Sequence, residues 1–430
     1  MRLSSGTKVL TKMIKWSVMI LSLFLVMSYT IEPMETYTQS FVYDRPIDYK
    51  EMTRRLEYFA ERFPDLVELE SFGRSPDNRR LWLVRLGKGE TKLHINASVH
   101  ARERITTNII LKNIEEYTAA YESDDPWIEG YNVRELLDEV TIYIVPMANP
   151  DGVDYTIYGK HGIHGDTLRD NLEGFVQTEI SPFFRRGLMQ WKSNARGVDL
   201  NRQFPYAWHN ELNFDPGRPA SAMYKGDTYL SEPEAQALYD LQLSHPFMVN
   251  AAYHTQGEVI FWYPPSDWFV RGKNRNLVDH IVELTGFESV PVFTPGGGFT
   301  DWSIGGLNIP SVTMEFGKGP YSDKDFEEIY KPGRALPLLL AEKAIMYEAS
   351  APFEVRIDGR TVKKFDFQYQ AEAFIEHYHS DTIAEVELIN RHSDDILFAR
   401  DPWSLQIQFN SRRSISGFVL SMLPIIQRST

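Results

Sequence analysis

The chain contains no cysteine. Disulfides, thiolate nucleophiles and cysteine-ligated metals are therefore excluded, and a metal here would have to rest on histidine and carboxylate. Excess positive charge is also missing. Lys and Arg number 45 against 59 Asp and Glu, giving a net charge of −14 and a pI near 5.3, so a general nucleic-acid binder is disfavoured. No internal repeat or low-complexity tract is present. An uncharged run approaching the ~20 residues of a membrane span occurs once, at Trp16–Ile31, behind the basic flank Arg2, Lys8, Lys12 and Lys15. We read 1–32 as an export signal or a retained membrane anchor. Either form places the remainder outside the cytoplasm, extracellular or at the cell wall, with any membrane contact confined to this segment.

What is present is 430 residues, 43% hydrophobic, enough for a large core. "YKEMTRRLEYFAERF" has apolar residues at Met52, Leu56, Phe59 and Phe63, a helical period that Pro64 ends. "LWLVRLG", "LHINASV" and "VTIYIV" read as strands, with a helix from about Arg104 to Tyr117. "ANPDG" reads as a turn, because Asn-Pro and Asp-Gly are strong breakers. The alternation continues to about residue 350 and predicts an α/β domain over 33–350, its sheet largely parallel and covered by helices on both faces. In such sheets, sites collect at the carboxyl ends of strands. From Ala351 the style changes. "FEVRIDGRTV" predicts a hairpin turning at Asp358-Gly359, "QAEAFIEHYH" a helix, and "AEVEL" and "LQIQF" strands, together a small α+β accessory domain over 351–430.

"SVHARERIT" places His100, Arg102, Glu103 and Arg104 between an apolar strand and a helix. His100 and Glu103, three apart, can converge on one point, and imidazole plus carboxylate suit zinc. Alone, the pair reads equally as a capping glutamate and a satisfied histidine. A catalytic zinc takes a third protein ligand. His254 falls where the strand "FMVNAAY" stops, and Glu315 ends "SVTM" in the same way. Each would be structural by itself, but ionisable groups at several buried strand ends need partners or a task. In "GVDLNRQFP", Asn201-Arg202 supplies an arginine fork suited to carboxylates.

With these motifs in order, from "FPDLVELESFGRSPDNRRLWLVRLG" through "HARE", "ANPDG", "GVDLNRQFP" and "YHTQGE" to "DWSIGGLNIPSVTMEFG", the chain from about Tyr37 to Glu348 resembles the zinc metallocarboxypeptidases, or funnelins. The resemblance implies a mixed, twisted, roughly eight-stranded sheet between helices. It implies one zinc per chain held by His100, Glu103 and His254, with Glu315 as general base. Asn201 and Arg202 would hold a terminal carboxylate, and Arg102 would make a further carboxylate or carbonyl contact. Arg104 is left as a solvated helix residue.

Three departures bear on substrate. Where digestive members carry an oxyanion arginine beside a tryptophan, this chain has Lys192 beside Trp191, with Arg196 as the second candidate. Their lid tyrosine corresponds to Phe293, read as a packing residue, and three glycines occupy the lid segment. Thr300 aligns with the floor of the specificity pocket, a small hydroxyl that suits neither an aromatic nor a basic side chain. "MQWKSNARGVDLNRQFP", "YHTQGEVIFWYPP" and "SVTMEFGKGP" look most like bacterial γ-D-glutamyl-meso-diaminopimelate peptidases. That implies hydrolysis of cell-wall stem peptides next to a free carboxylate. The alternatives are an ordinary metallocarboxypeptidase, an N-acyl amino acid deacylase, or a zinc-free binding protein on the same fold. The pairs His161/His164 and His377/His379 read as loop and surface residues, and the aromatics of "FWYPP" as core or cleft wall.

Overall fold

The computed structural model describes residues 41–178, 190–210, 215–263, 265, 267–319 and 322–365, and beyond them 368, 371, 372, 375, 386–391, 395–400 and 408–409. The expected leader, His377, His379 and most of the expected accessory helix lie outside the described residues. The chain divides into two compact units, Met1–Val42 and Tyr43–Thr430, and the elements below belong to the second.

Helix α1 (Tyr49–Arg62) starts where Asp48 accepts a hydrogen bond from Glu51 N, and it buries Met52, Leu56 and Phe59. Strands β1 (Val67–Arg74), β2 (Arg80–Gly87) and β3 (Thr91–Ala97) follow. Helix α2 (Ile105–Glu122) leads to a two-residue-per-strand hairpin, β4 (Trp127–Ile128) and β5 (Tyr131–Asn132), then α3 (Val133–Glu139) and β6 (Val140–Val145). Helices α4 (Pro150–Tyr158), α5 (Asp166–Thr178) and α6 (Pro233–Ser244) precede β7 (Phe247–His254) and β8 (Val259–Trp262). The domain continues with α7 (Trp268–Thr285), β9 (Glu288–Pro291), α8 (Phe299–Gly305), β10 (Ser311–Glu315), α9 (Phe326–Tyr330) and α10 (Leu336–Ser350).

Eight strands form one mixed sheet in the order β1-β2-β6-β3-β7-β10-β8-β9. The central four, β6, β3, β7 and β10, run parallel, and their near-continuous apolar character follows from burial on both faces. On one side β2 and β1 continue the sheet by antiparallel pairing; on the other β8 pairs antiparallel to β10 and then parallel to β9. On one face Val145 and Ala252 share an apolar cluster with Leu238 and Leu241 of α6 and with Phe299 and Trp302 of α8. Helix α10 packs against β3, β6 and β7.

The "ANPDG" segment differs from its sequence reading. Pro150 occupies the first turn of α4, and Asn149 caps it by accepting from Gly152 N. The residues that break chains also start helices, since proline lacks only a donor that the first turn does not use.

After α10 a second, five-stranded antiparallel sheet begins, in the order β12-β11-β13-β14-β15. Its strands are β11 (Phe353–Ile357), β12 (Arg360–Phe365), β13 (Val386–Asn390), β14 (Asp395–Arg400) and β15 (Gln408–Phe409). The β11–β12 turn falls at Asp358-Gly359, both with positive φ, the geometry of a tight hairpin.

Candidate active site

The chemistry gathers where the parallel strands end. Strand β3 stops at Ala97. Ser98 then turns through a left-handed conformation at φ 49°, held by Thr106 Oγ1 accepting from Ser98 N at 2.9 Å. A short 3-10 turn, Ala101–Glu103, delivers His100 and Glu103 to the same spot. The second histidine ends β7, and Glu315 ends the adjacent β10 in register with it.

His100, Glu103 and His254 are buried, and one ligand atom from each lies within 4.8 Å of the other two. His100 Nδ1 is 2.9 Å from Glu103 Oε1 and 3.2 Å from His254 Nδ1, which is 2.8 Å from Glu103 Oε2. Two imidazole nitrogens and a carboxylate facing one another form a donor set able to hold a cation. Against the upward push of burial, His100, Lys192 and His254 hold the Glu103 carboxyl well below its usual range. The His100 imidazole is pushed down by burial but pulled up more by Glu103 and Asp199. A donor set of this composition fits tetrahedral zinc with one position left for water or substrate.

Residue Asp199 was not singled out from the sequence. Its Oδ1 lies 3.1 Å from His100 Nε2, the nitrogen opposite the ligand atom, and it accepts from Asn201 N and Met223 N. Burial pushes its carboxyl up, but His100, Arg202 and Lys192 hold it far below the usual range. A carboxylate on the second nitrogen fixes the tautomer of a ligating histidine. The only signal in the sequence was one acid in the apolar run "GVDL" before Asn201.

Asn149 is the second missed residue. Its Nδ2 donates to Val99 O and Ser193 O at 3.1 Å and lies 3.4 Å from Lys192 O. Ala101 N donates to Lys192 O and Arg102 N to Trp191 O. One buried amide thus bolts the His100 loop to the 191–193 segment. Lys192 Nζ reaches to 3.6 Å from Glu103 Oε1, whereas Arg196 points to Glu232 at 3.6 Å and is half-exposed.

Glu315 is partly buried. Burial raises its carboxyl above the ordinary glutamate range, His254 opposes that, and Glu103 adds to it. Arg102 Nη1 donates to Gln190 Oε1, with Nε 3.8 Å from Glu103. Arg202 Nη1 donates to Asn201 O, and its buried Nε has no hydrogen-bond partner among the described residues. Asn201 Oδ1 accepts from Phe299 N. Thr300 is buried, its hydroxyl 2.7 Å from that of Thr313.

Two sequence readings are corrected. Arg104 is not solvated but 8% exposed, donating to Asp323 Oδ2 at 2.7 Å across 219 residues of chain. Phe293 is not a packing residue: it is 75% exposed, just after the edge strand β9. Gly296–Gly298, in the expected lid segment, are held in place. They are buried, with Gly296 N bound to Asp301, Gly297 O accepting from Phe204 N, and Gly297 at φ 78° under the Trp208 ring. The site residues expected at the strand ends lie together, and His161 and His164 lie apart from them in a surface loop, His164 Nδ1 3.6 Å from Asp77.

A family model described as "Zinc carboxypeptidase" matches residues 52–330. The chain is 31% identical over 301 residues to gamma-D-glutamyl-L-diamino acid endopeptidase 1 of Lysinibacillus sphaericus, covering 68% of this chain and 71% of that protein. It is 33% identical over 303 residues to the uncharacterized protein YqgT of Bacillus subtilis (strain 168), covering 68% and 75%. Among solved structures, thrombin activatable fibrinolysis inhibitor superposes with a TM-score of 0.57 at 20% identity over 71% of this chain and 75% of that one, a likeness of fold.

Proposed function

The chain belongs to the zinc carboxypeptidase family, and from that premise we propose that it is an exported zinc peptidase that hydrolyses the γ-D-glutamyl–diaminopimelate bond of cell-wall stem peptides. The observation that carries the hydrolytic reading is the convergence of His100, Glu103 and His254 beside Glu315. The cell-wall reading is supported by the L. sphaericus relative, whose name specifies a γ-D-glutamyl-L-diamino acid bond, and by the polar Thr300 where an aromatic or basic pocket would need another residue. The uncharged run at Trp16–Ile31 supports export.

His100, Glu103 and His254 would hold one zinc ion, which when bound polarises the scissile carbonyl and makes water acidic near neutrality. Asp199 orients the His100 ring for that task. Arg202, whose Nε lacks a partner among the described residues, and Asn201 grip the free carboxylate on the diaminopimelate side. Asn201 Oδ1 is already committed to Phe299 N, so its Nδ2 is the atom left for the substrate. Glu315 takes the proton of the attacking water and returns it to the leaving amine. Its raised affinity for a proton suits both halves of that transfer. Lys192, tied to the ligand loop through its own backbone, faces the carbonyl oxygen as negative charge grows there. Arg102 makes a second carbonyl or carboxylate contact.

The deciding experiment incubates zinc-loaded protein with L-Ala-γ-D-Glu-diaminopimelate, an α-linked peptide and an N-acyl amino acid, with products identified by mass spectrometry. Release of diaminopimelate from the first supports the proposal. Turnover of the α-linked peptide alone makes it an ordinary carboxypeptidase, and of the N-acyl amino acid alone a deacylase.

A further inference from the structure

The sheet face beneath α8 carries more polar groups than its neighbours satisfy. In one row across the parallel strands, Asn96 stands beside Ala252 and Ala252 beside Thr313. In the row one pleat further in, His94 stands beside Asn250. Residues of a row share a face, and alternate positions along a strand return to it. Ala252 packs in one cluster with Phe299 and Trp302 of α8, so both rows look toward that helix. The His94 ring bears this out, its centroid 5.4 Å from that of Phe299. The next residue of α8 is Thr300, whose hydroxyl meets that of Thr313.

His94, Asn96 and Asn250 are all 0% exposed. Yet both amide atoms of Asn96, both ring nitrogens of His94 and Oδ1 of Asn250 have no hydrogen-bond partner among the described residues. Each unpaired buried polar atom costs about 1–3 kcal/mol. Five such atoms on neighbouring positions are too costly for a dry core, so these groups call for partners beyond the described residues, a buried water or a ligand group. Burial pushes the His94 imidazole down to about 3, leaving the ring neutral, and the lining carries no charge.

We infer that the specificity pocket does not end at Thr300 and Thr313 but opens into a polar chamber lined by Asn96 and backed by His94 and Asn250. The chamber takes the far end of the side chain that follows the scissile bond, an end that both donates and accepts hydrogen bonds and carries no net charge. An amino–carboxylate pair or a carboxamide meets that description. A lone ammonium does not, because nothing in the lining offsets its charge, and an alkyl tip leaves the five atoms unpaired. The inference rests on the peptidase reading for the position of the pocket but not on the γ-D-glutamyl linkage.

The test uses two peptide scaffolds, one γ-D-glutamyl-linked and one α-linked. Each ends in norleucine, lysine, glutamine or diaminopimelate. The readout is the ratio of kcat/KM for glutamine or diaminopimelate over norleucine. We expect a ratio above about ten in the unmodified enzyme, and a fall of at least about tenfold in Asn96→Leu, since a site built for hydrogen bonds rejects the group that cannot make them. Thr313→Val, which removes one hydroxyl at the entrance, lowers the ratio in the same sense and serves if Asn96→Leu does not fold. Should neither scaffold turn over, calorimetric binding of the four free amino acids to the zinc-loaded protein must give the same ranking. A ratio within about twofold of unity, or variants that lower all four substrates equally, overturns the chamber. An Asn96-dependent ratio on the α-linked scaffold with no γ-linked cleavage keeps the chamber and rejects the cell-wall substrate. γ-linked cleavage without Asn96 dependence does the reverse.

Discussion

Asp199 Oδ1 sits 3.1 Å from His100 Nε2, while Nδ1 of the same ring faces Glu103 and His254. The ring is therefore gripped on both sides, and with a metal ion bound the nitrogen facing Glu103 and His254 would be the one left without a proton.

Asp199→Asn keeps the size of the side chain and loses the charge that fixes the tautomer. Zinc affinity should fall about 10–100-fold. Competition with a chromogenic chelator measures it, and an affinity within about twofold of the unmodified protein removes Asp199 from this role.

Glu315→Gln should bind zinc stoichiometrically yet lose kcat by about 10²–10⁴-fold, as expected when a general acid–base group is removed. Metal content by atomic spectroscopy and single-turnover rates separate the two. A variant that turns over normally would show that another group moves the proton.

Asn149 has two separable duties, capping α4 through Oδ1 and bolting the His100 loop to the 192–193 backbone through Nδ2. Asn149→Ala loses both and should cost about 2–4 kcal/mol of stability. Asn149→Asp retains the acceptor and recovers part of the melting temperature, but with no donor left it should keep kcat at least about tenfold down. Recovery of kcat in Asn149→Asp would mean that the bolt does not position the loop.

Burial raises the Asp154 carboxyl to about 6, although Tyr49 N and Arg79 both favour its ionised form. With the folded value above the unfolded one, its contribution to stability is complete below about pH 4 and is lost as pH rises through about 6. Relative to Asp154→Asn, the unmodified protein should therefore lose about 2 kcal/mol between pH 4 and pH 7. Urea denaturation at the two pH values reads this directly, and a difference independent of pH would contradict it.

Much of the candidate site was legible because the physics is local. An ionisable residue at or just past the end of an apolar strand stands out in one dimension, as His100, His254 and Glu315 do, and Glu103 follows from its spacing of three from His100. The parallel centre of the sheet was legible for a related reason, as uninterrupted apolar strands alternating with helices. The misreadings have long-range causes. Arg104 looked like a surface helix residue because its partner, Asp323, lies 219 residues away. Phe293 was taken as packing because aromatic character does not reveal that a strand will be an edge. Asp199 and Asn149 act by touching backbone or rings brought from elsewhere, which no spacing rule registers. In "ANPDG" the same residues serve as breaker and as helix start, and only the continuation of the chain decides.

His254 and Glu315 occupy the same rung of two neighbouring parallel strands, their positions set by backbone pairing alone. Because side chains alternate along a strand, removing a single residue from Ser311–Met314 would swing the carboxylate to the opposite side of the sheet while leaving its identity untouched. In the proposed mechanism proton transfer is thus written into the ladder, whereas the proposed substrate choice is written on α8 and the side chains beneath it. The two can diverge separately, so new specificities are reachable by changing the floor of the pocket while the catalytic rung stays fixed.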